Sequence, residues 1–189
     1  MSSRSPEYPA PATVRVPICK PEITGLNGKS PKPLVSAVSG PAVGLGCSIA
    51  LLSDLLVMGQ NSYLADPHVA VGLTAGDGGA AMLPLLIGMM KAKEYVLLGD
   101  RITAPVAEKL NLVTKVVPDG AVLDEALALG ERFASLPPQA LRSSKVALNM
   151  HLARAAQGVL EYALAEELTS FSTPEFKERV AAFRARAKK

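Results

Sequence analysis

A histidine and an aspartate flanked by turns are the residues best suited to proton transfer. His68 titrates near neutral pH and could act as a general acid or base, with Asp66 two positions earlier as its partner. The alternative is that His68 caps a loop or bonds a buried carbonyl. Asp77 interrupts a glycine turn beginning at Gly76, where it could be a catalytic carboxylate or an ordinary turn or N-cap residue. His151, on a late helix, is interpreted as structural or exposed to solvent.

A second glycine turn could stabilise negative charge. Gly44 and Gly46 flank Leu45 at the predicted start of a helix, where backbone N–H groups and the positive helix end favour an anion. The alternative is a plain turn between a strand and a helix. Ser48 follows closely, and with His68 and a carboxylate it permits a hydrolase with a serine nucleophile, although the sequence has no Gly-x-Ser-x-Gly pattern.

Short apolar runs alternating with glycine turns predict the elements that position these residues. Strands or extended segments are predicted at residues 34–38, 62–65, 69–71 and 113–117. Helices are predicted at about 46–58, around 82–86, at 91–98 and 103–110, and then from near residues 120, 137, 157 and 174. The pattern predicts an α/β fold of parallel-strand units followed by a helical C-terminal region.

Composition limits the class of protein. With 49% hydrophobic and 20% charged residues in 189, the chain must bury a core. A net charge of +3 with dispersed basic residues argues against nucleic-acid binding. The apolar stretch 42–59 is interpreted as a buried helix and not a membrane span, because it contains Asp54 and several glycines. Two distant cysteines and no secretion signal predict a cytoplasmic location.

Three sequence blocks carry a resemblance to a known family. They are KPLVSAVSGPAVGLGC at residues 32–47, DPHVAVGLTAGDGG at 66–79, and LGDRI with LVTKVVP at 98–118. In order and spacing these blocks resemble the crotonase superfamily, the enoyl-CoA hydratases and isomerases. The resemblance implies a spiral of short βα units and a chain that is N-terminally incomplete. We therefore expect an irregular Pro-rich leader at 1–31, a partial spiral core at 32–118, and helices at 119–189 for trimerisation and active-site cover.

The resemblance also assigns roles to individual residues. It implies that the N–H of Leu45 is one donor of an oxyanion hole, that Gly44 and Gly46 let the thioester approach, and that Ser48 and Gly76 contact the substrate. Ser48 and His68 stand where the family has two glutamates, and the loop that supplies the second oxyanion donor is absent. His68 and Asp77 are then the candidate acid/base groups.

The function implied is binding of an acyl-CoA thioester and stabilisation of its enolate, as in enoyl-CoA hydratases and isomerases. We expect a homotrimer or a dimer of trimers, with no metal, no cofactor beyond the CoA of the substrate, no nucleic acid and no membrane. Two alternatives remain: a catalytically silent CoA-binding or assembly subunit, and an acyl-CoA hydrolase that uses Ser48 or Asp77.

Overall fold

The fold contains two small three-stranded sheets. The computed structural model describes residues 31–187. The first sheet is parallel, in the order β1 (Val35–Val38), β3 (Leu55–Gly59), β6 (Lys115–Val117). In the second sheet β2 (Pro41–Val43) pairs parallel with β4 (Tyr63–Ala65), which pairs antiparallel with β5 (Ile102–Thr103). The strand order and the register place the ends of β2 and β4 at the same edge.

Helices fill the connections and follow the last strand. The earlier helices are α1 (Leu45–Leu51), α2 (Gly79–Ile87), α3 (Met89–Leu98) and α4 (Ala104–Lys109). After β6 come α5 (Val122–Ala134), α6 (Pro138–Ala156), α7 (Val159–Ser170) and α8 (Pro174–Ala187). The predicted α/β architecture with four final helices is confirmed. Thr173 caps α8, since its Oγ1 accepts the N–H of Phe176 at 3.3 Å.

Two apolar clusters hold the layers together. Met58, Leu64 and Leu83 are almost fully buried in the larger cluster, which joins both sheets to the early helices. In the smaller cluster, Val57 of the first sheet packs with Val122 of α5. Each such side chain contributes about 1.5–3 kcal/mol by leaving water. Strands β1 and β4 are buried along their whole length and β3 along most of it, whereas β2, β5 and β6 each have an exposed residue.

The predicted helix at 46–58 is wrong in its second half. Helix α1 ends at Leu51, and the chain forms strand β3 from Leu55. The intervening Ser53 donates its hydroxyl to the carbonyls of Ala50 and Leu55, which closes a tight connection. In a continuous apolar run, hydrophobic periodicity cannot distinguish a buried helix from a buried strand. The pairing with β1 and β6 makes this segment a strand.

Two further predictions need correction. Residues Val69–Val71, expected to be extended, form a 3-10 turn, because the N–H of Val71 bonds the carbonyls of Pro67 and His68. The strand Pro41–Val43 was not predicted. Proline is compatible with it because the residue is the first of the strand, where its missing N–H costs little.

A buried ion pair fixes α6 to the start of the first sheet. Lys145 is 7% exposed, and its Nζ lies 2.7 Å from Asp54 Oδ2 and 2.6 Å from the carbonyl oxygen of Lys32. The same carboxylate oxygen accepts the N–H of Leu34 at 2.7 Å. Removal of either charge would leave the other poorly solvated.

The predicted Pro-rich leader at 1–31 lies outside the described residues except for Pro31. The domain boundaries proposed from the sequence therefore stay predictions. Within residues 31–187, no helix combines the length and the apolar character that crossing a membrane requires.

Candidate active site

The site forms where β2, β4 and the turn before α2 meet. The N–H of Gly44 donates to the carbonyl of Ala65 at 2.9 Å, which holds the ends of the two parallel strands together. Gly44 has φ 55° and ψ −125°, a conformation that side chains with a Cβ rarely adopt. A Cβ at this position would lie 3.7 Å from Cε1 of His68, so the histidine ring borders the turn.

The predicted anion-binding turn opens α1. Leu45 is the first residue of the helix, and among residues 31–187 no backbone carbonyl accepts its N–H. The Leu45 side chain is exposed, and a Cβ added at Gly46 would meet no atom within 4 Å. The turn therefore leaves an unused backbone donor with open space beside it.

His68 is held at the centre of the site by carboxylates. Its Nδ1–H donates to Oδ1 of Asp66, the partner expected from the sequence. Its other ring nitrogen, Nε2, lies 3.4 Å from Oδ2 of Asp77 and 3.8 Å from Oε1 of Glu167. Both His68 and Asp66 are buried. The imidazole is therefore oriented by one carboxylate and faces two others.

Asp77 links the histidine to Ser48. The Ser48 hydroxyl donates to Oδ1 of Asp77 at 2.8 Å, while Oδ2 of the same carboxylate faces His68. The N-cap of α2 is Gly78, so Asp77 is not the N-cap residue that the sequence alternative allowed. Ser48 is 2% exposed, and within the described part of the chain its hydroxyl bonds to Asp77 and not to His68.

Glu167 is the site residue that sequence reasoning missed. It lies on α7, and Ala163, Glu167 and Ser170 are spaced so that they share one helix face. Ser170 Oγ accepts the N–H of Thr74 at 3.2 Å, and a Cβ at Gly76 would lie 2.4 Å from Oε2 of Glu167. The local sequence offers one weak signal for Glu167: a small residue, an acid and a hydroxyl residue share one face of an otherwise ordinary helix.

The electrostatics of the cluster favour a protonated imidazole. The hydrogen bond to Asp66 raises the pKa of His68, burial opposes this, and the nearby charges of Asp66, Asp77 and Glu167 raise it further. Burial raises the pKa of Glu167, with His68 acting in the opposite direction. His68 and Glu167 therefore each hold a proton more tightly than the isolated side chain would.

The same groups have the composition of a cation site. Asp66, His68 and Asp77 each place a ligand atom within 4.8 Å of the others. Nδ1 of His68 is already bonded to Asp66, so Nε2 is the ring nitrogen that could bind a metal. The arrangement equally suits proton transfer, because it joins an oriented imidazole to carboxylates near a free backbone donor.

Comparison with known proteins finds clear similarity. A family model described as enoyl-CoA hydratase/isomerase matches residues 25–189. The chain is 36% identical over 156 residues to 2,3-dehydroadipyl-CoA hydratase of Escherichia coli K12, covering 80% of this chain and 60% of that protein. It is 35% identical over 156 residues to short-chain-enoyl-CoA hydratase of Clostridium acetobutylicum, covering 80% and 58%.

Solved structures give the same result. An enoyl-CoA hydratase/isomerase from Mycobacterium paratuberculosis superposes with a TM-score of 0.81 at 46% identity, covering 85% of this chain and 63% of that one. This similarity confirms the predicted spiral fold of short βα units. The chain spans about 60% of the length of the curated relatives it matches.

Proposed function

Because the chain belongs to the enoyl-CoA hydratase/isomerase family, we propose that it binds an acyl-CoA thioester and catalyses hydratase or isomerase chemistry on an enoyl group. The observation that carries the proposal is the position of His68, held by Asp66 and bordering the glycine turn at Gly44. The closeness of this imidazole to the turn supports a proton-transfer role for His68 beside the backbone N–H of Leu45.

The glycine turn would stabilise the enolate. Negative charge grows on the thioester oxygen as the reaction proceeds, and a positioned N–H that points at this oxygen lowers the barrier. We assign that N–H to Leu45, with Gly44 and Gly46 leaving space for the thioester and Ser48 and Gly76 at the edges of the substrate site. A single donor of this type is worth about 3 kcal/mol, or about a hundredfold in rate.

His68 and Asp77 would move the proton. A protonated His68 can donate to the α-carbon of the enolate, and Asp66 stabilises the charged imidazole that this step requires. Asp77 faces the same ring nitrogen and can accept or relay a proton. His68 stands at one of the two glutamate positions of the family, and Asp77 would supply a second acid/base group in place of Ser48, which stands at the other.

Loss of the enoyl absorbance of crotonyl-CoA tests the proposal. We expect turnover above the uncatalysed rate, lowered at least a hundredfold in His68→Ala and in Asp77→Asn. His151→Ala is the matched control, because this second histidine is exposed on α6 and should leave turnover unchanged. Tight CoA binding without any turnover would instead favour a silent CoA-binding or assembly subunit.

The hydrolase alternative has less support. A serine nucleophile is activated by a base that takes its proton, and the Ser48 hydroxyl bonds to a carboxylate while the residue is buried. Attack by Ser48 or Asp77 would leave a covalent acyl group on the residue. Intact-mass measurement after incubation with acyl-CoA distinguishes this reaction from hydration, which leaves the protein mass unchanged.

Assembly and location complete the proposal. Exposed apolar side chains on α3, namely Met89, Met90, Leu97 and Leu98, support a homotrimer or a dimer of trimers in which this face is covered. Sedimentation of the purified protein measures the stoichiometry. We also propose that the CoA of the substrate is the only coenzyme. The buried free thiol of Cys47 is compatible with the cytoplasmic location predicted from the sequence.

A further inference from the structure

We propose that Glu167, contributed by helix α7, is a catalytic residue that holds the attacking water together with His68 and takes a proton from it. The inference rests on the proposed hydratase function and deepens it. Hydration of an enoyl thioester needs two side chains that hydrogen-bond to one water molecule. The two glutamates that the resemblance would supply are replaced here by Ser48 and His68.

The distance between the two groups suits one water molecule. Oε1 of Glu167 and Nε2 of His68 are 3.8 Å apart, too far for a direct hydrogen bond. A water molecule about 2.8 Å from each of these two atoms can hydrogen-bond to both at once. The two hydrogen bonds then meet at the water oxygen at a bent angle. The side chains of His68 and Glu167 are 10% and 14% exposed, so this position is sheltered but open to a small molecule.

The other carboxylates of the site are already engaged. Oδ1 of Asp66 accepts from His68, and Oδ1 of Asp77 accepts from Ser48 while its Oδ2 is nearer to the ring than Glu167 is. Within residues 31–187, the carboxylate of Glu167 makes no hydrogen bond, and its charged neighbour is Nε2 of His68 at 3.8 Å. Of the three acids around the ring, Glu167 therefore has the most freedom to accept a proton from water.

The fold makes a specific place for this side chain. Helix α7 is fixed on the loop before α2, because Oγ of Ser170 accepts the backbone N–H of Thr74 and also hydrogen-bonds to the Thr74 hydroxyl. Ala163, one turn earlier, is buried against the same loop, and its carbonyl would lie 2.7 Å from a Cβ at Gly76. Only glycine at position 76 leaves room for Glu167 to reach the histidine.

The chemical step balances without a further reactant. As the water oxygen bonds to the β-carbon, its proton passes to the Glu167 carboxylate and the double-bond electron pair moves into the thioester enolate. Protonated His68 then gives its Nε2 proton to the α-carbon. Transfer of the proton from Glu167 to His68 restores both groups, so the net change is addition of one water across the double bond.

The test compares two neighbouring glutamates on the same helix. Glu167→Gln keeps the shape of the side chain and removes its basicity, while Glu166→Gln changes an exposed residue. Crotonyl-CoA turnover is measured across pH for the wild type and both variants. We expect kcat to fall at least a hundredfold in Glu167→Gln with little change in KM, and the low-pH limb of the kcat profile to disappear. Glu167→Asp should recover part of kcat, and Glu166→Gln should match the wild type.

A second readout is independent of turnover. NMR titration of the His68 ring should show a lower pKa in Glu167→Gln than in Glu166→Gln, because one neighbouring negative charge is gone. Equal kcat in the two variants of an active protein overturns the role of Glu167 and leaves the hydratase function standing. A higher KM with an unchanged pH profile also overturns it, since that result indicates packing alone. A wild type with no turnover refutes the hydratase function itself.

Discussion

Replacement of Gly79 by alanine should destabilise the protein through the site. Gly79 is the first residue of α2, a position where alanine would ordinarily be tolerated. Here a Cβ would lie only 1.7 Å from Oδ2 of Asp66. The buried carboxylate must therefore move by more than 1 Å, and the same carboxylate orients His68.

The expected loss has two parts. Overpacking of a dense interior costs about 1–3 kcal/mol. Displacement of Asp66 also weakens its charged hydrogen bond with His68, which is worth about 1.5–3 kcal/mol. Because the structure will relax partly, we expect Gly79→Ala to lower the free energy of unfolding by about 3 kcal/mol. The pKa of His68 should fall at the same time, since the largest cause of its elevation is that hydrogen bond.

Gly130→Ala is the matched control. Gly130 lies inside α5, and a Cβ there would meet no atom within 4 Å. Alanine should stabilise the helix by about 0.5–1 kcal/mol because it has the higher helix propensity. Urea unfolding measures both variants, and NMR of the imidazole signals measures His68. The reasoning is refuted if Gly79→Ala is as stable as the wild type, or if it unfolds more easily with the pKa of His68 unchanged.

Three further predictions concern titration, a buried ion pair and a thiol. Folding raises the pKa of His68 above its ordinary value of 6.5, so the stabilisation that His68 contributes is complete below pH 6.5 and is lost as pH rises through the folded pKa. Asp66→Asn should flatten this dependence of the unfolding free energy on pH. Lys145→Met should lower the free energy of unfolding in urea by about 3 kcal/mol. Lys115→Met, at an exposed ion pair, should lower it by about 0.5 kcal/mol. Equal losses in the two variants would contradict the argument from burial. Burial raises the pKa of Cys47 to about 12, so peptide mass spectrometry should find it unmodified by iodoacetamide at pH 8 until urea is added.

Local sequence patterns determined much of the fold. The glycine turns, the strand at Val35–Val38 and all four C-terminal helices follow from hydrophobic period, turn residues and proline positions. The pairing of Asp66 with His68 was also predictable, because the two residues are only two positions apart. These features depend on interactions between residues that are close together in the chain, so they can be inferred from the sequence directly.

Tertiary structure decided the remainder. The segment at Leu55–Gly59 is a strand because β1 and β6 pair with it on either side, and its unbroken apolar run could equally have continued a buried helix. Glu167 enters the site because α7 folds back on a loop about 90 residues earlier, where a glycine leaves space for it. Such contacts depend on how layers pack, and no local period or turn signal records which distant side chain will fill a given space.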